Sequence, residues 1–231
     1  MILSPGRKYL FIHIPKTGGT SLALALEARA MADDLMLGDT PKAKKRRRRL
    51  QGRKTSGRLW KHSTLADIAG LIPEDELRAL YTFTLVRNPW DRAVSYYHWL
   101  RQQSFDHPAV FRAKAVEFGD FVLTPEVLHS FERQSAASYM RHRDGSTQCQ
   151  LYIRIEYFAQ DAAPLFDHLG VDLDLTVENR SARARDWRDY YDSKTEAAIA
   201  AACAEENARF EYSFNDFDLA LEQARQRPGE G

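Results

Sequence analysis

Two groups of residues in this chain have the types and spacing to hold anions. The first is Pro15-Lys16-Thr17-Gly18-Gly19-Thr20-Ser21. Its two glycines let the backbone approach a ligand closely and adopt positive φ. If a helix follows, its first N–H groups and the positive end of its dipole face the loop, which suits a phosphate or a sulfate. Thr20 and Ser21 add hydroxyl donors, and Lys16 adds a positive charge. A tight structural turn capped by Thr20 is the plainer alternative. The second group is Arg87-Asn88-Pro89-Trp90-Asp91-Arg92-Ala93-Val94-Ser95. Asn88, Arg92, Ser95 and Trp99 recur at helical spacing. Arg87 and Ser95 could grip one phosphate together, the guanidinium as a planar fork and the serine as a hydroxyl. Here the plainer alternative is an ion pair between Arg87 and Asp91.

The first group is not the nucleoside-triphosphate loop GxxxxGK[ST]. Its lysine precedes the glycines instead of following them. A magnesium-dependent kinase also wants an acid at the end of a neighbouring strand, and this chain has Arg87 there. An arginine at that place anticipates a second anion instead of a metal.

The elements around these groups can be read from pattern. Tyr9–Ile14 is a short apolar run of strand type, and Thr20-Ser21-Leu22-Ala23-Leu24-Ala25-Leu26 opens a helix. Between 33 and 61 there is no regular pattern. Ser63-Thr64 before Asp67 resembles a helix start, and Pro73-Glu-Asp-Glu starts another. Tyr81–Val86 is the clearest strand, followed by a helix from Pro89 to about Gln103 with Asn88 as cap. The stretch 104–145 reads as mostly helical, Gln150–Glu156 as a strand, and Ala163–Leu169 as a helix closed by Gly170. Ser193-Lys-Thr-Glu196 reads as a capping box opening a helix to about Phe210. Strands alternating with helices predict an α/β architecture, a P-loop-like three-layer fold with a central parallel sheet flanked by helices. A single domain over 1–220 is expected, with a frayed tail at 221–231.

Hydrophobic residues at 44% and charged residues at 28% describe an ordinary globular chain and exclude a fibre or a disordered polymer. Cys149 and Cys203 do not make a disulfide framework. No run approaches the roughly 18 apolar residues needed to cross a bilayer, and the first apolar run is too interrupted for a secretion signal, so a cytoplasmic protein is expected. The net charge is +1, yet Lys42–Lys54 holds nine cations and no acid, which leaves −8 for everything else. At this density like charges repel, so a mobile, exposed loop over about 38–58 is expected. It could attract an anionic glycan or membrane surface, which makes a polyanion binder the rival to an enzyme. Basicity confined to one segment argues against a specific nucleic-acid partner.

Together, PKTGGTSL at 15–22 and RNPWDRAVSYYHW at 87–99 resemble the sulfotransferase superfamily, closest to its carbohydrate-type branch with its bacterial relatives. The resemblance implies an enzyme that moves a sulfuryl group from 3′-phosphoadenosine 5′-phosphosulfate (PAPS) to a hydroxyl of a carbohydrate or glycoconjugate, a glycolipid included. It implies that Lys16, Thr17, Gly18, Gly19, Thr20 and Ser21 bind the 5′-phosphosulfate, and that Arg87 and Ser95 bind the 3′-phosphate. Lys61-His62-Ser63-Thr64 and Arg154-Ile155-Glu156 resemble further segments of the family, whereas the nine-cation stretch has no counterpart in it. Lys16 is expected to meet the charge that develops on the leaving phosphate, with no metal. His62 is expected to be the base, because a capped helix after it would hold its ring neutral. Glu156 is the competing base, although bracing the fold suits it better, and His13 is expected to pack. Arg180 and Arg183 are candidate contacts of a late basic segment. Phenolic acceptors stay open.

Overall fold

The structure is a computed structural model that describes residues 1–175, 184 and 186–216. The chain runs through β1 (Ile2–Ser4), β2 (Tyr9–Ile12), α1 (Gly19–Ala28), β3 (Leu35–Met36), α2 (Pro41–Arg46), α3 (Leu65–Ile68), α4 (Glu74–Arg78) and β4 (Tyr81–Val86). There follow α5 (Pro89–Arg101), α6 (Pro108–Ala115), α7 (Phe118–Val122), α8 (Pro125–Arg133) and α9 (Ala136–Tyr139). Then come β5 (Leu151–Arg154), α10 (Phe158–Asp161), α11 (Ala163–Leu169), α12 (Ser193–Ala202) and α13 (Ala204–Phe210). Two compact units result, one of Met1–Val86 with Ala136–Glu178 and one of Arg87–Ser135 with Asn179–Gly231.

The first unit is built on a five-stranded sheet in the order β3-β1-β2-β4-β5. β2, β4 and β5 are parallel, as the alternating pattern predicts. β1, which the sequence reading missed, runs antiparallel to both β2 and β3. The reason is local: only Pro5–Lys8 separates β1 from β2, and so short a connection joins antiparallel strands. Tyr9, Phe11, Phe83, Leu85 and Ile153 share one face and pack with Leu22, Ala23 and Leu26 of α1 and with Phe158 and Leu165 of α10 and α11. On the other face Leu3, Leu10, Ile12, Thr82 and Thr84 are also fully buried. Burial on both faces is why β2 reads as an apolar run instead of an alternating one.

The segment expected to be an irregular basic loop contains regular structure. Leu35–Met36 forms an edge strand, and Pro41–Arg46 forms a helix that a 3₁₀ turn extends through Arg47–Leu50. One acid explains it. Glu27, near the end of α1 and buried, accepts the N–H of Lys42 at 2.8 Å and that of Ala43 at 3.3 Å, and takes the Thr40 hydroxyl as well. It thereby caps the N-terminus of α2 with a negative charge. Lys42 Nζ returns to the Glu27 carbonyl at 2.6 Å, Arg46 reaches the Met31 carbonyl at 2.7 Å and Arg49 that of Ala32. Ala43 and Leu50 are buried beneath, while Lys44, Lys45, Arg47 and Arg48 face solvent.

In the second unit α5 starts as anticipated, with Pro89 in its first turn and the Asn88 side chain accepting the Trp90 N–H at 3.1 Å. Its core is aromatic: Tyr97, Phe118 and Tyr191 meet edge to face, as do Trp187 and Phe214. Arg92 enters this core and pairs with Glu206 at 3.6 Å. The capping box of α12 lies one residue earlier than the sequence suggests. Asp192 accepts the Thr195 N–H at 2.8 Å, and Thr195 Oγ1 accepts the Asp192 N–H at 2.9 Å. The expected single helix to Phe210 breaks at Cys203 into α12 and α13. Arg180, Arg183 and the tail 221–231 lie outside the described residues.

Candidate active site

The loop from β2 to α1 is held in an unusual backbone shape. Lys16 and Gly18 both have left-handed φ, 67° and 85°. For Gly18 this is free of steric cost, but for Lys16 it stores strain of the kind found at ligand-binding loops. Thr17 is 2% exposed and donates its hydroxyl to the Ile14 carbonyl at 2.9 Å, which pins the turn. The N-cap of α1 is Gly18 and not Thr20; no side chain among the described residues caps it, and the first turn holds no acid. Helix N–H groups thus point at the loop without a built-in carboxylate to answer them, which is the condition for anion binding.

Gly19 has a second reason to be glycine. A Cβ there would lie 2.2 Å from Cδ2 of His13, whose ring fills the space against the helix start. His13 is buried, as the sequence suggests, and it also connects the loop to His62. His62 Nδ1 lies 2.7 Å from the His13 carbonyl oxygen, and the two rings meet edge to face at 4.6 Å. Gly18 is hemmed in from the other side, where a Cβ would come 3.0 Å from Cδ1 of Ile155. The Lys16–Ser21 loop, His13, His62 and the Arg154–Glu156 segment therefore come together in the first unit.

A carbonyl oxygen only accepts, so Nδ1 of His62 carries the hydrogen. Burial pushes the ring's pKa down to about 4, with the Lys61 charge lowering it further. The ring is neutral at pH 7, and its Nε2 is the nitrogen with an open lone pair. The expected cause was a helix dipole. The Thr64–Asp67 capping box is present, yet the helix it starts is a single turn, and desolvation is the main cause. Ser63, fully buried, fixes the approach: its Oγ accepts the Trp60 N–H at 2.9 Å and lies 2.9 Å from the carbonyls of both Arg58 and Trp60. The Met1 amino group donates to the Lys61 carbonyl at 2.9 Å, and Lys61 Nζ bonds Asp39 at 2.7 Å. Arg154 is held by both oxygens of Asp161, at 2.8 and 3.0 Å, and half-buried Glu156 stands on the 3₁₀ turn that follows.

In the second unit Arg87 comes directly after β4, and its Nε and Nη2 both reach Asp91 Oδ2, at 2.7 and 2.6 Å. The ion pair named as the plainer alternative is thus present. Ser95 lies two turns along α5 and is mostly buried. Of the helix positions grouped with it, Asn88 caps α5 and donates to the Ser213 carbonyl at 3.0 Å, and Arg92 serves the core. Among the described residues no His, Cys, Asp and Glu side chains gather as a metal site, and no helix is long and apolar enough to cross a membrane.

The sequence profile described as "Sulfotransferase family" matches residues 1–183. The chain belongs to the sulfotransferase family: it is a PAPS-dependent sulfotransferase of α/β fold, with PAPS as co-substrate. Among solved structures, mouse sulfotransferase SULT7A1 complexed with PAP is similar at 17% identity over 96% of this chain and 90% of that chain, with a TM-score of 0.45. No curated protein matches the sequence.

Proposed function

We propose that the enzyme sulfates a hydroxyl of a carbohydrate or glycoconjugate, with His62 as general base and Lys16 as the cation that meets the leaving phosphate. The observation that carries this reading is the neutral His62 ring, whose Nδ1–H is committed to His13 and whose Nε2 is left to accept. The acceptor O–H proton moves to Nε2 while the acceptor oxygen bonds to sulfur and the bond from sulfur to the 5′-phosphate oxygen breaks. The charge that develops on that phosphate oxygen is stabilised by Lys16 and by N–H groups of Thr17, Gly18, Gly19 and Thr20; the Ser21 N–H is committed to the Gly18 carbonyl at 3.1 Å. Thr17 acts here through its backbone, since its hydroxyl is committed to Ile14. Thr20 and Ser21 can add their hydroxyls. Arg87 and Ser95 take the 3′-phosphate, with Asp91 aiming the guanidinium.

The test is calorimetric titration with 3′-phosphoadenosine 5′-phosphate (PAP) without magnesium, followed by transfer from PAPS to a panel of sugars and phenols. PAP binding that is lost in Arg87→Ala, together with sulfation of sugars, is the expected result. Magnesium-dependent ATP binding without PAP binding would overturn the site assignment. Sulfation of phenols but of no sugar would overturn the acceptor.

A further inference from the structure

The carbonyl of His13 fixes the tautomer of His62, and its side chain has a separate place in the site. Phe83, Phe11 and His13 form a stack: the first two rings lie 5.5 Å apart at 25°, the second two 5.8 Å apart at 21°. Both phenylalanines are fully buried, so the His13 ring has no room to retreat into the core. Two parts of the site rest against it. Its Cδ2–Nε2 edge faces Gly19, where a Cβ would lie 2.2 and 2.5 Å from those two atoms. The His62 ring meets it edge to face at 4.6 Å and 71°.

A single hydrogen bond from Nδ1 to a carbonyl leaves the His62 ring able to swing about that bond. Its plane is set by contact, with His13 and, at 5.0 Å, with Trp60. Trp60 is 42% exposed and can yield, whereas His13 is 7% exposed and backed by the core. The aim of the Nε2 lone pair therefore depends on the His13 ring. Burial pushes the pKa of His13 well below the usual histidine range, so at pH 7 the ring is an uncharged spacer that does not compete for the acceptor's proton. In-line transfer puts the acceptor oxygen and the leaving oxygen on opposite sides of sulfur. The base and the N–H groups that receive the leaving phosphate must then be held at one separation.

We infer that the His13 side chain is a positioning residue that sets this separation, bearing on Gly19 of the Lys16–Ser21 loop with one edge and on the His62 ring beside it. This rests on His62 as base and on the loop as donor site, the reading proposed above. It adds a residue that acts through both without taking part in the bond changes.

The experiment compares the wild type with His13→Ala and His13→Phe by PAP titration, by transfer from saturating PAPS to an acceptor from the panel above, and by crystal structures with PAP. His13→Ala keeps the carbonyl and its bond to Nδ1 but removes the spacer. It is expected to bind PAP nearly as the wild type does, which checks folding, and to lower kcat by about 10²-fold with KM little changed. In its structure the His62 ring is expected to be turned while Nδ1 stays on the carbonyl. His13→Phe keeps a flat ring against Phe11 and His62 and is expected to recover most of the rate. A His13 that only fills the core would lower stability and leave the rate per PAP-competent molecule unchanged. That result, or an unmoved His62 ring in His13→Ala, would overturn the inference. No recovery in His13→Phe with PAP affinity intact would also overturn it, by assigning the loss to the ring nitrogens. A loss below about tenfold in His62→Ala would instead remove the base, and with it the reading on which the spacer rests.

Discussion

His62 and His13 are joined through a backbone carbonyl: the Nδ1 of one lies 2.7 Å from the oxygen of the other. That bond selects the tautomer with Nε2 unprotonated. Two substitutions separate holding the ring from accepting the proton. His62→Ala is expected to lower kcat by about 10²–10⁴-fold. His62→Asn can keep a donor to the His13 carbonyl but offers no basic nitrogen. It is expected to lose as much activity and less stability, read from single-turnover rates and urea midpoints. A loss below about tenfold in either would remove His62 as base.

The low pKa of His62, about 4, predicts the acid side of the pH profile. An ordinary histidine would lose half its base form at pH 6.5; this one keeps it, so kcat/KM is expected to be flat from pH 8 to 6 and to fall below 5. Stability follows the same groups. The unfolded chain binds protons at pH 4–6.5 that folded His62 refuses, so stability is full above 6.5 and drops as pH falls toward 4, by about 3 kcal/mol for His62. His13, also pushed down by burial, acts in the same direction. Thermal melts from pH 8 to 4.5 check this, and a midpoint that did not fall would contradict it.

Gly19→Ala is expected to cost about 1–3 kcal/mol of stability and to weaken PAP binding, because the new methyl overlaps His13. His13→Ala in the same chain removes the obstacle. The double variant is expected to be more stable than the sum of the singles, a coupling readable from a four-protein urea series.

Arg92 and Glu206 are 4% and 7% exposed and face each other in the second unit. Arg92→Ala leaves a buried carboxylate without that partner, and a loss of about 3–5 kcal/mol in urea unfolding is expected. Arg92→Lys is expected to recover only part of it, since lysine lacks the second arm that bonds the Gln134 carbonyl at 3.3 Å.

Cys203 is buried and its thiol pKa is pushed up to about 12 by that burial. Cys149 is half-buried. A thiol reagent at pH 8 is therefore expected to modify Cys149 first and Cys203 only on unfolding. Fast labelling of both in folded protein would show the α12–α13 junction to be open.

Much of the site scaffold was legible because its signals are local. Tyr81–Val86 is an uninterrupted β-type run, Asn88-Pro89 is a cap and first turn in two residues, and Gly170 ends α11 with φ 66°. The missed pieces depend on distant partners. β1 is three residues long and exists because β2 and β3 flank it. Nine cations argued for a loose loop between 38 and 58, and Glu27 stands about 15 residues away from the amides it caps. The neutrality of His62 was anticipated, but its cause was not, since desolvation is a property of the folded surroundings. His13 could not be tied to Gly19 and His62 from spacing alone, because its ring lies against a backbone six residues on and its carbonyl meets a side chain 49 residues on.

Helix α1 has a duty at each end. Gly18 and Gly19 open it at the Lys16–Ser21 loop, and Glu27 closes it against the first turn of α2. Ten residues make it about 15 Å long. Deleting a single residue would turn Glu27 through about 100° relative to the loop and draw it back about 1.5 Å, swinging its carboxylate off the amides of Lys42 and Ala43. The helix therefore works as a gauge block between the Lys16–Ser21 loop and the cationic segment: its surface residues are free to change, and its length is not.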